Sequence, residues 1–227
     1  LNNESPEYSW DALYRKFMSE GFPKEAIQNL HKSNPAEAFA PEKGFKAVTV
    51  NDGDKITIGD YEFTCVFTPG HTPGHMCLYL ESEKLMFLGD HVLFDITPNI
   101  TFWTGVRDSL KDYIQSLNKV KNLDVRTALP AHRTNSKDFY VRIDEIIQHH
   151  NQRLDECFNI VKNSPGMNAY DIAGFMKWSM RGRNWQEFPM HQKWFAVGEC
   201  IAHLDYLRYT NKIYRRFENG IYCYYAF

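Results

Sequence analysis

The chain has 227 residues, of which 43% are hydrophobic and 24% charged, and a formal net charge of −2. This composition is typical of a globular protein with one medium domain and a smaller second one, and it excludes a largely disordered chain. Because no run of about 18 apolar residues occurs, the sequence offers no candidate membrane span.

The cysteines are odd in number and form no C-x-x-C pair, so neither a disulfide framework nor a cysteine-rich zinc knuckle is expected. We expect buried, reduced thiols in a cytoplasmic protein. The N-terminal residues show neither the basic region nor the apolar segment of a secretory signal. The five cysteines are Cys65, Cys77, Cys157, Cys200 and Cys223.

Residues 9–32 mix apolar and charged positions at helical spacing and are interrupted at Gly21-Phe22-Pro23, which predicts two short helices. Four aromatic side chains fall in this segment. We expect them to pack these helices, and the alternative is a lid that lines a substrate pocket. These aromatic residues are Trp10, Tyr14, Phe17 and Phe22.

From residue 46 onward the pattern changes to the alternation that is typical of β-strands. A tight turn at Asn51-Asp52-Gly53-Asp54 separates the first two strands, and the polar run Glu81-Ser82-Glu83-Lys84 separates the last two. The predicted strands are Lys46–Val50, Lys55–Ile58, Tyr61–Phe67, Met76–Leu80 and Leu85–Leu88.

A helix from Ser109 to Asn118, with Asp108 as its N-cap, is predicted to lead into a further strand at Arg126–Leu129. Ser136 to Asn163 then has the apolar stripe of one long helix. Strands that are followed by alternating helix and strand indicate an α/β sandwich and not a helical bundle.

Ser164-Pro165-Gly166 is the clearest break in the pattern, and we place a domain boundary there, between residues 1–163 and 164–227. The second segment is predicted to hold two helices and a hairpin that turns at Asn219-Gly220, an order that fits a small winged helix. The elements are Ala169–Met180, Trp194–Thr210, Lys212–Phe217 and Ile221–Tyr225. Residues 165–227 carry eight Lys or Arg and five Asp or Glu, which permits nucleic-acid contact, although we favour packing or dimerisation.

The stretch T-P-G-H-T-P-G-H ends a strand in two Pro-Gly turns that project His71 from the strand end. Gly89-Asp90 also follows an apolar strand, and Pro130-Ala131-His132 places a histidine after another. Loops at the edge of a rigid sheet can bring such groups together. Two imidazoles and a carboxylate are typical ligands of zinc, and a carboxylate can bridge two ions.

These three segments, with Gly89-Asp90 following His71 by nineteen residues, resemble the metallo-β-lactamase superfamily, most closely its glyoxalase II-like and LACTB2-like branches. The resemblance implies an αββα sandwich with a C-terminal winged helix. It also implies that His71 binds one zinc, that His132 binds a second, and that Asp90 bridges both ions and is the catalytic carboxylate. Two Zn²⁺ are expected per full-length chain, with Fe or Mn as alternatives, and a metal-bound hydroxide would attack the substrate.

The family signature H-x-H-x-D-H is absent, since residues 1–45 contain only His31. Without it each zinc would keep two protein ligands, Asp90 counted for both, which is too few for a tight four-coordinate site. Either the natural protein carries the motif upstream of Leu1, which the missing initiator Met favours, or the chain is a non-catalytic relative. For this chain alone we expect weak zinc binding and little activity. His75 and His91 are expected to have structural roles beside the ligands.

Three functional hypotheses follow. The first is a dinuclear zinc hydrolase that cleaves a small-molecule ester or thioester. The second is a metal-dependent endoribonuclease of the LACTB2 type, and the third is a non-catalytic binding protein on a hydrolase scaffold. The sequence also permits a homodimer.

Overall fold

The computed structural model describes residues 10–27, 47–180 and 182–227. These residues divide into two compact units. The sheet unit is Thr49–Arg153, and the terminal unit joins the described residues before Thr49 to Leu154–Phe227. No helix in the described ranges combines the length and the apolar character that crossing a bilayer requires.

The sheet unit is built on five strands in the spatial order β1-β2-β3-β4-β5. Neighbours are antiparallel from β1 to β4, and β4 and β5 are parallel. The strands are β1 (Lys55–Ile58), β2 (Tyr61–Phe67), β3 (Met76–Leu80), β4 (Leu85–Gly89) and β5 (Thr127–Pro130).

Strand direction brings three loops to one edge of this sheet. Because β3 is antiparallel to both of its neighbours, β2 and β4 run the same way, and β5 runs parallel to β4. The C-terminal ends of β2, β4 and β5 therefore lie at the same edge. The loops that leave these ends carry the predicted ligands, so the topology alone places the ligands near one another.

The parallel β4–β5 pair requires a crossover, and helix α2 (Ser109–Lys121) supplies it. The predicted N-cap is confirmed, because the Asp108 side chain accepts a hydrogen bond from the backbone N–H of Lys111 at 3.0 Å. The buried side chains of α2 share one face of the helix, at the three- and four-residue spacing of a packed helix. They are Ser109, Leu110, Tyr113, Ser116, Leu117 and Val120.

Helix α3 (Phe139–Asn163) anchors the loop that follows β4. Its buried Arg142 donates from Nε to the carbonyl of Leu93 at 2.7 Å and from Nη2 to that of Ile96 at 3.0 Å. The helix begins three residues later than predicted because the Asp138 carboxylate accepts hydrogen bonds from the first free N–H groups.

The described part of the terminal unit includes the end of α3, three further named helices and a hairpin. The aromatic residues near the N-terminus pack within it, since the Phe17 ring stacks on Trp194 with centroids 3.4 Å apart and the Phe22 ring meets Trp194 edge-on at 5.7 Å. This contact matches the packing interpretation of that cluster. Its elements are α1 (Trp10–Ser19), α4 (Ala169–Phe175), α5 (Met190–Tyr209), β6 (Ile213–Glu218) and β7 (Ile221–Ala226).

One predicted strand is not found over its described residues, and one predicted helix is shorter than expected. Residues 47–50 form no strand, and Val48 is 92% exposed, so its β propensity is not supported by any packing partner. The predicted helix at Ala169–Met180 ends at Phe175, where the Trp178 indole N–H donates to the carbonyl of Ala173 and satisfies one of the last helical acceptors.

The spatial division falls inside α3, between Arg153 and Leu154, and α1 belongs to the terminal unit. The predicted boundary at residue 163 follows a break in sequence pattern, whereas the spatial units follow packing. A division into residues 1–163 and 164–227 and a winged helix in the second segment stay predictions.

The mixed α/β class is confirmed, with one five-stranded sheet among the described residues. Of the N-terminal helices, the first is confirmed, and the second is helical over residues 24–27, with the rest outside the described residues, as is His31.

Candidate metal centre at the sheet edge

The turn after β2 is held against α2 by close backbone contact. Gly70 has φ of +142°, and a Cβ at this position would lie 2.4 Å from the Tyr113 Cβ. Ser116 donates from its hydroxyl to the carbonyl of Pro69 at 2.8 Å. Only glycine fits here without displacing the helix. The close contact of Gly70 with α2 therefore determines the backbone position of the next residue, His71.

His71 is oriented by the loop that follows β4. Its ring Nδ1 lies 2.9 Å from the carbonyl of Asn99, and its own carbonyl accepts from the Trp103 indole N–H at 3.0 Å. Because a carbonyl can only accept, Nδ1 must carry the proton in the neutral ring. The Nε2 lone pair is therefore available for a metal, and it lies 3.8 Å from Oδ2 of Asp90.

Asp90 follows β4 directly, and its two carboxylate oxygens have different surroundings. Oδ1 lies 3.2 Å from Nε2 of His132, whereas Oδ2 is the oxygen nearest to His71. Oδ1 is buried and accepts no hydrogen bond within the part of the chain that the structure describes. A buried carboxylate oxygen without a donor is costly, and a bound cation is one way to satisfy it.

His132 is the most exposed of the three predicted ligands, with 63% of its side chain accessible against 31% for Asp90. The backbone places it, since the N–H of Ala131 donates to the carbonyl of Gly89 at 2.9 Å and extends the β4–β5 ladder by one step. Arg133, which follows, has φ of +63° and turns the chain away from the sheet.

The structure thus brings Asp90 close to both predicted histidines, one beside each oxygen. Two ligand atoms on one tetrahedral zinc are about 3.3 Å apart at ordinary bond lengths, so the His132–Asp90 spacing fits a shared ion. Among residues 10–27, 47–180 and 182–227, no group of three or more His, Cys, Asp or Glu is placed to hold one ion. The described residues thus place one imidazole beside each oxygen of Asp90, and a tight metal site would require further ligands.

His75 lies beside this site, but both of its ring nitrogens are engaged by the protein. Nε2 accepts from the backbone N–H of Asp90 at 3.1 Å, and Nδ1 lies 2.8 Å from Oγ1 of Thr68. Burial lowers the pKa of His75 below its ordinary value. A neutral ring with two protein partners has no lone pair left for a metal, so this histidine supports Asp90.

Two further histidines, His91 and His150, contact the ring of Tyr113. His91 is fully buried, and its ring meets the Tyr113 ring edge-on with centroids 5.3 Å apart. The rings of Tyr113 and His150 also meet edge-on, at 5.5 Å. Burial lowers the pKa of His91 to about 3, which keeps the ring neutral. His150, which lies on α3, is also fully buried.

The sequence of this chain is similar to those of several known proteins. The chain is 32% identical over 134 residues to an atrochrysone carboxyl ACP thioesterase of Aspergillus fumigatus, covering 59% of this chain and 40% of that protein. It is 29% identical over 124 residues to a beta-lactamase-like protein 2 homolog of Caenorhabditis elegans, covering 55% of this chain and again 40% of the relative. The alignments therefore span less than half the length of these relatives.

Among solved structures, a beta-lactamase domain protein from Burkholderia ambifaria has a TM-score of 0.81 and 26% identity. The match covers 97% of this chain and 64% of that one. Residues 185–226 match the model of the metallo-beta-lactamase-like C-terminal domain, and residues 3–132 match that of the metallo-beta-lactamase superfamily. With more than half of its length matched, the chain belongs to the metallo-beta-lactamase superfamily.

Proposed function

We propose that this protein is a dinuclear zinc hydrolase that acts on a small ester or thioester, with His71, Asp90 and His132 among its metal ligands. The observation that carries the proposal is Asp90, which presents one oxygen to each of two imidazoles and has one oxygen buried without a hydrogen-bond donor in the described structure. Bound zinc ions supply Lewis acidity and lower the pKa of water at the site.

The chain's own residues fix this arrangement before any ligand arrives. The carbonyl of Asn99 holds the His71 ring in the tautomer that leaves Nε2 unprotonated. The His75 ring holds the backbone of Asp90, so the carboxylate leaves the strand in a fixed direction. Fixed ligands need no reorganisation when a transition state forms, which is the main source of electrostatic catalysis.

A thioester is the favoured substrate class. A relative with 32% identity is named an atrochrysone carboxyl ACP thioesterase, and metal ions held by His71, Asp90 and His132 would supply the Lewis acidity that acyl transfer requires. The proposed substrate of this chain has an acyl group and a thiol or alcohol leaving group.

The test is zinc-dependent release of thiol from a panel of short acyl thioesters, measured at saturating zinc with wild type and with Asp90→Asn. Slow thiol release that needs both zinc and Asp90 is expected, because further metal ligands are required for full activity. Equal rates for wild type and Asp90→Asn would contradict the proposal. Asn has the same shape as Asp and lacks its charge, so this variant tests the carboxylate and leaves the packing around it unchanged.

A second candidate is a metal-dependent endoribonuclease, supported by the beta-lactamase-like protein 2 homolog and by the terminal hairpin. In that hairpin, Arg216 lies over the rings of Tyr214 and Tyr225, with its guanidinium carbon 5.4 and 5.3 Å from their centroids. Arginine beside aromatic rings is a common platform for single-stranded nucleic acid. Salt-sensitive binding of single-stranded RNA, with zinc-dependent cleavage, would favour this candidate over the thioesterase. A cytoplasmic location and a homodimer stay predictions.

A further inference from the structure

A chain of buried hydrogen bonds runs behind the candidate metal centre and connects the ends of β2, β3 and β4. The backbone N–H of Asp90 lies 3.1 Å from Nε2 of His75, and Nδ1 of the same ring lies 2.8 Å from Oγ1 of Thr68. Oγ1 lies 3.4 Å from Sγ of Cys77, which lies 3.5 Å from the carbonyl oxygen of Leu88. The chain thus leaves β4 at residue 90 and returns to β4 at residue 88.

The two ends of this chain determine the direction of every bond in it. The amide of Asp90 can only donate and the carbonyl of Leu88 can only accept. His75 must therefore accept at Nε2 and donate from Nδ1 to Thr68, whose hydroxyl donates to Cys77, whose thiol donates to Leu88. Each group makes one donation and one acceptance, so the chain is complete. Consecutive bonds of one direction polarise and strengthen one another.

Burial protects the arrangement. Thr68 and Cys77 are fully buried, and burial raises the pKa of the Cys77 thiol to about 12, so the thiol keeps the proton that it donates. Gly89 leaves room for the ring, because a Cβ at Gly89 would lie 2.6 Å from Nε2 of His75. The backbone N–H of Thr68 also donates to the carbonyl of His75 at 2.9 Å, which ties the turn to itself.

We propose that Thr68, His75 and Cys77 are positioning residues that act through the Asp90 backbone, holding the bridging carboxylate in the direction that metal binding requires. This inference rests on the proposed function, because it concerns the same carboxylate. None of the three residues contacts the ions or the substrate in this proposal. Their effect is to hold the backbone amide of Asp90 in place. The position of this amide determines the direction in which the carboxylate leaves the backbone.

The test measures zinc affinity by competition with a chelator for two matched pairs of variants. His75→Leu and Thr68→Val remove a link of the chain, whereas His75→Gln and Thr68→Ser retain a group that can accept and donate at the same place. We expect the first of each pair to weaken zinc binding by about 10- to 100-fold and the second to stay near wild type, as for other residues that orient metal ligands. Thr64→Val is the control on β2, since the Thr64 hydroxyl accepts a hydrogen bond from the exposed Lys55 and is not a member of the buried hydrogen-bond chain.

A second readout requires no metal. In ¹⁵N-resolved NMR spectra of the metal-free protein, the His75 ring is expected in the tautomer protonated at Nδ1, and the Asp90 amide proton is expected to shift upfield in His75→Leu but not in His75→Gln. If His75→Leu and Thr68→Val keep wild-type zinc affinity while Asp90→Asn loses it, the positioning role is wrong and the proposed metal centre stands. If Asp90→Asn binds zinc as wild type does, the metal centre itself is wrong and the positioning role falls with it.

Discussion

Two buried polar networks, one in each unit, show how a candidate site differs from a structural cluster. In the terminal unit, the fully buried Glu20 is surrounded by donors. Oε1 lies 2.6 Å from Lys16 Nζ and 3.2 Å from Arg215 Nη1, and Oε2 accepts from the Tyr224 hydroxyl at 2.8 Å. Both oxygens of this carboxylate are satisfied within the protein.

The sheet unit treats its carboxylate in the opposite way. The backbone of Asp90 is held by His75, yet Oδ1 is buried and accepts no hydrogen bond from the described residues, and the nearest side chains are imidazoles. A buried carboxylate whose two oxygens both accept hydrogen bonds contributes to stability, whereas a positioned carboxylate with one buried oxygen that accepts none can bind a ligand. We expect substitutions in the two networks to affect different measurements.

The largest effect on stability is expected for Glu20→Ala. This change leaves Lys16 and Arg215 without their shared carboxylate and removes the acceptor of the Tyr224 hydroxyl, so we expect a loss of about 3 kcal/mol in the free energy of unfolding. Calorimetric melting measures this loss. Zinc affinity should stay within about twofold of wild type, and a large fall in zinc affinity would remove the distinction between the two networks.

A smaller loss is expected for Tyr224→Phe, which removes the hydroxyl that donates to Glu20 and that also interacts with Arg215. A hydrogen bond to a charged group contributes about 1.5–3 kcal/mol, so melting should show a loss near the lower end of that range. Tyr225→Phe is the matched control, because the Tyr225 hydroxyl donates to the half-buried Glu218 at the hairpin surface. Equal losses of unfolding free energy for the two variants would mean that the buried hydrogen bond contributes no more to stability than the one at the surface.

The smallest effect is a pH dependence of stability. Burial raises the pKa of Glu20 above its ordinary value of 4.5, so between that value and the folded-state pKa the native protein keeps a proton that the unfolded chain releases. Stability should therefore fall as pH rises across this interval, by at most about 1.4 kcal/mol per pH unit, and then level off. Glu20→Gln cannot titrate, and its melting temperature should lack this component of the slope. Parallel curves for the two proteins would contradict the assignment.

Much of the fold followed from local sequence signals. The strands at Lys55–Ile58, Tyr61–Phe67 and Met76–Leu80 were predicted with their observed ends, because alternation and turn residues act within a few positions. The strand predicted at Lys46–Val50 failed over residues 47–50, since β propensity needs a partner strand that no local pattern reveals. The start of α3 was misplaced for a related reason: several polar residues near it could serve as the cap, and only the fold selects Asp138.

The candidate site was accessible to sequence reasoning to the extent that strand ends could be located. His71, Asp90 and His132 were chosen because each follows an apolar strand, and the common direction of β2, β4 and β5 explains why they meet. The hydrogen-bond chain through Thr68 and Cys77 could not be predicted, because its members are joined across strands by register and burial. Cys77 in particular had only the pattern of a packing residue.

The most direct test is to measure zinc binding to the purified protein by calorimetric titration. The proteins compared are wild type, Asp90→Asn, His132→Ala and the exposed control His191→Ala. Wild type should bind zinc weakly, Asp90→Asn should lose at least about 100-fold in affinity, and His132→Ala should show a smaller loss without a change in melting temperature, since His132 is largely exposed. His191→Ala should match wild type. Unchanged affinity in Asp90→Asn would contradict the claim that this carboxylate is the centre of a metal site.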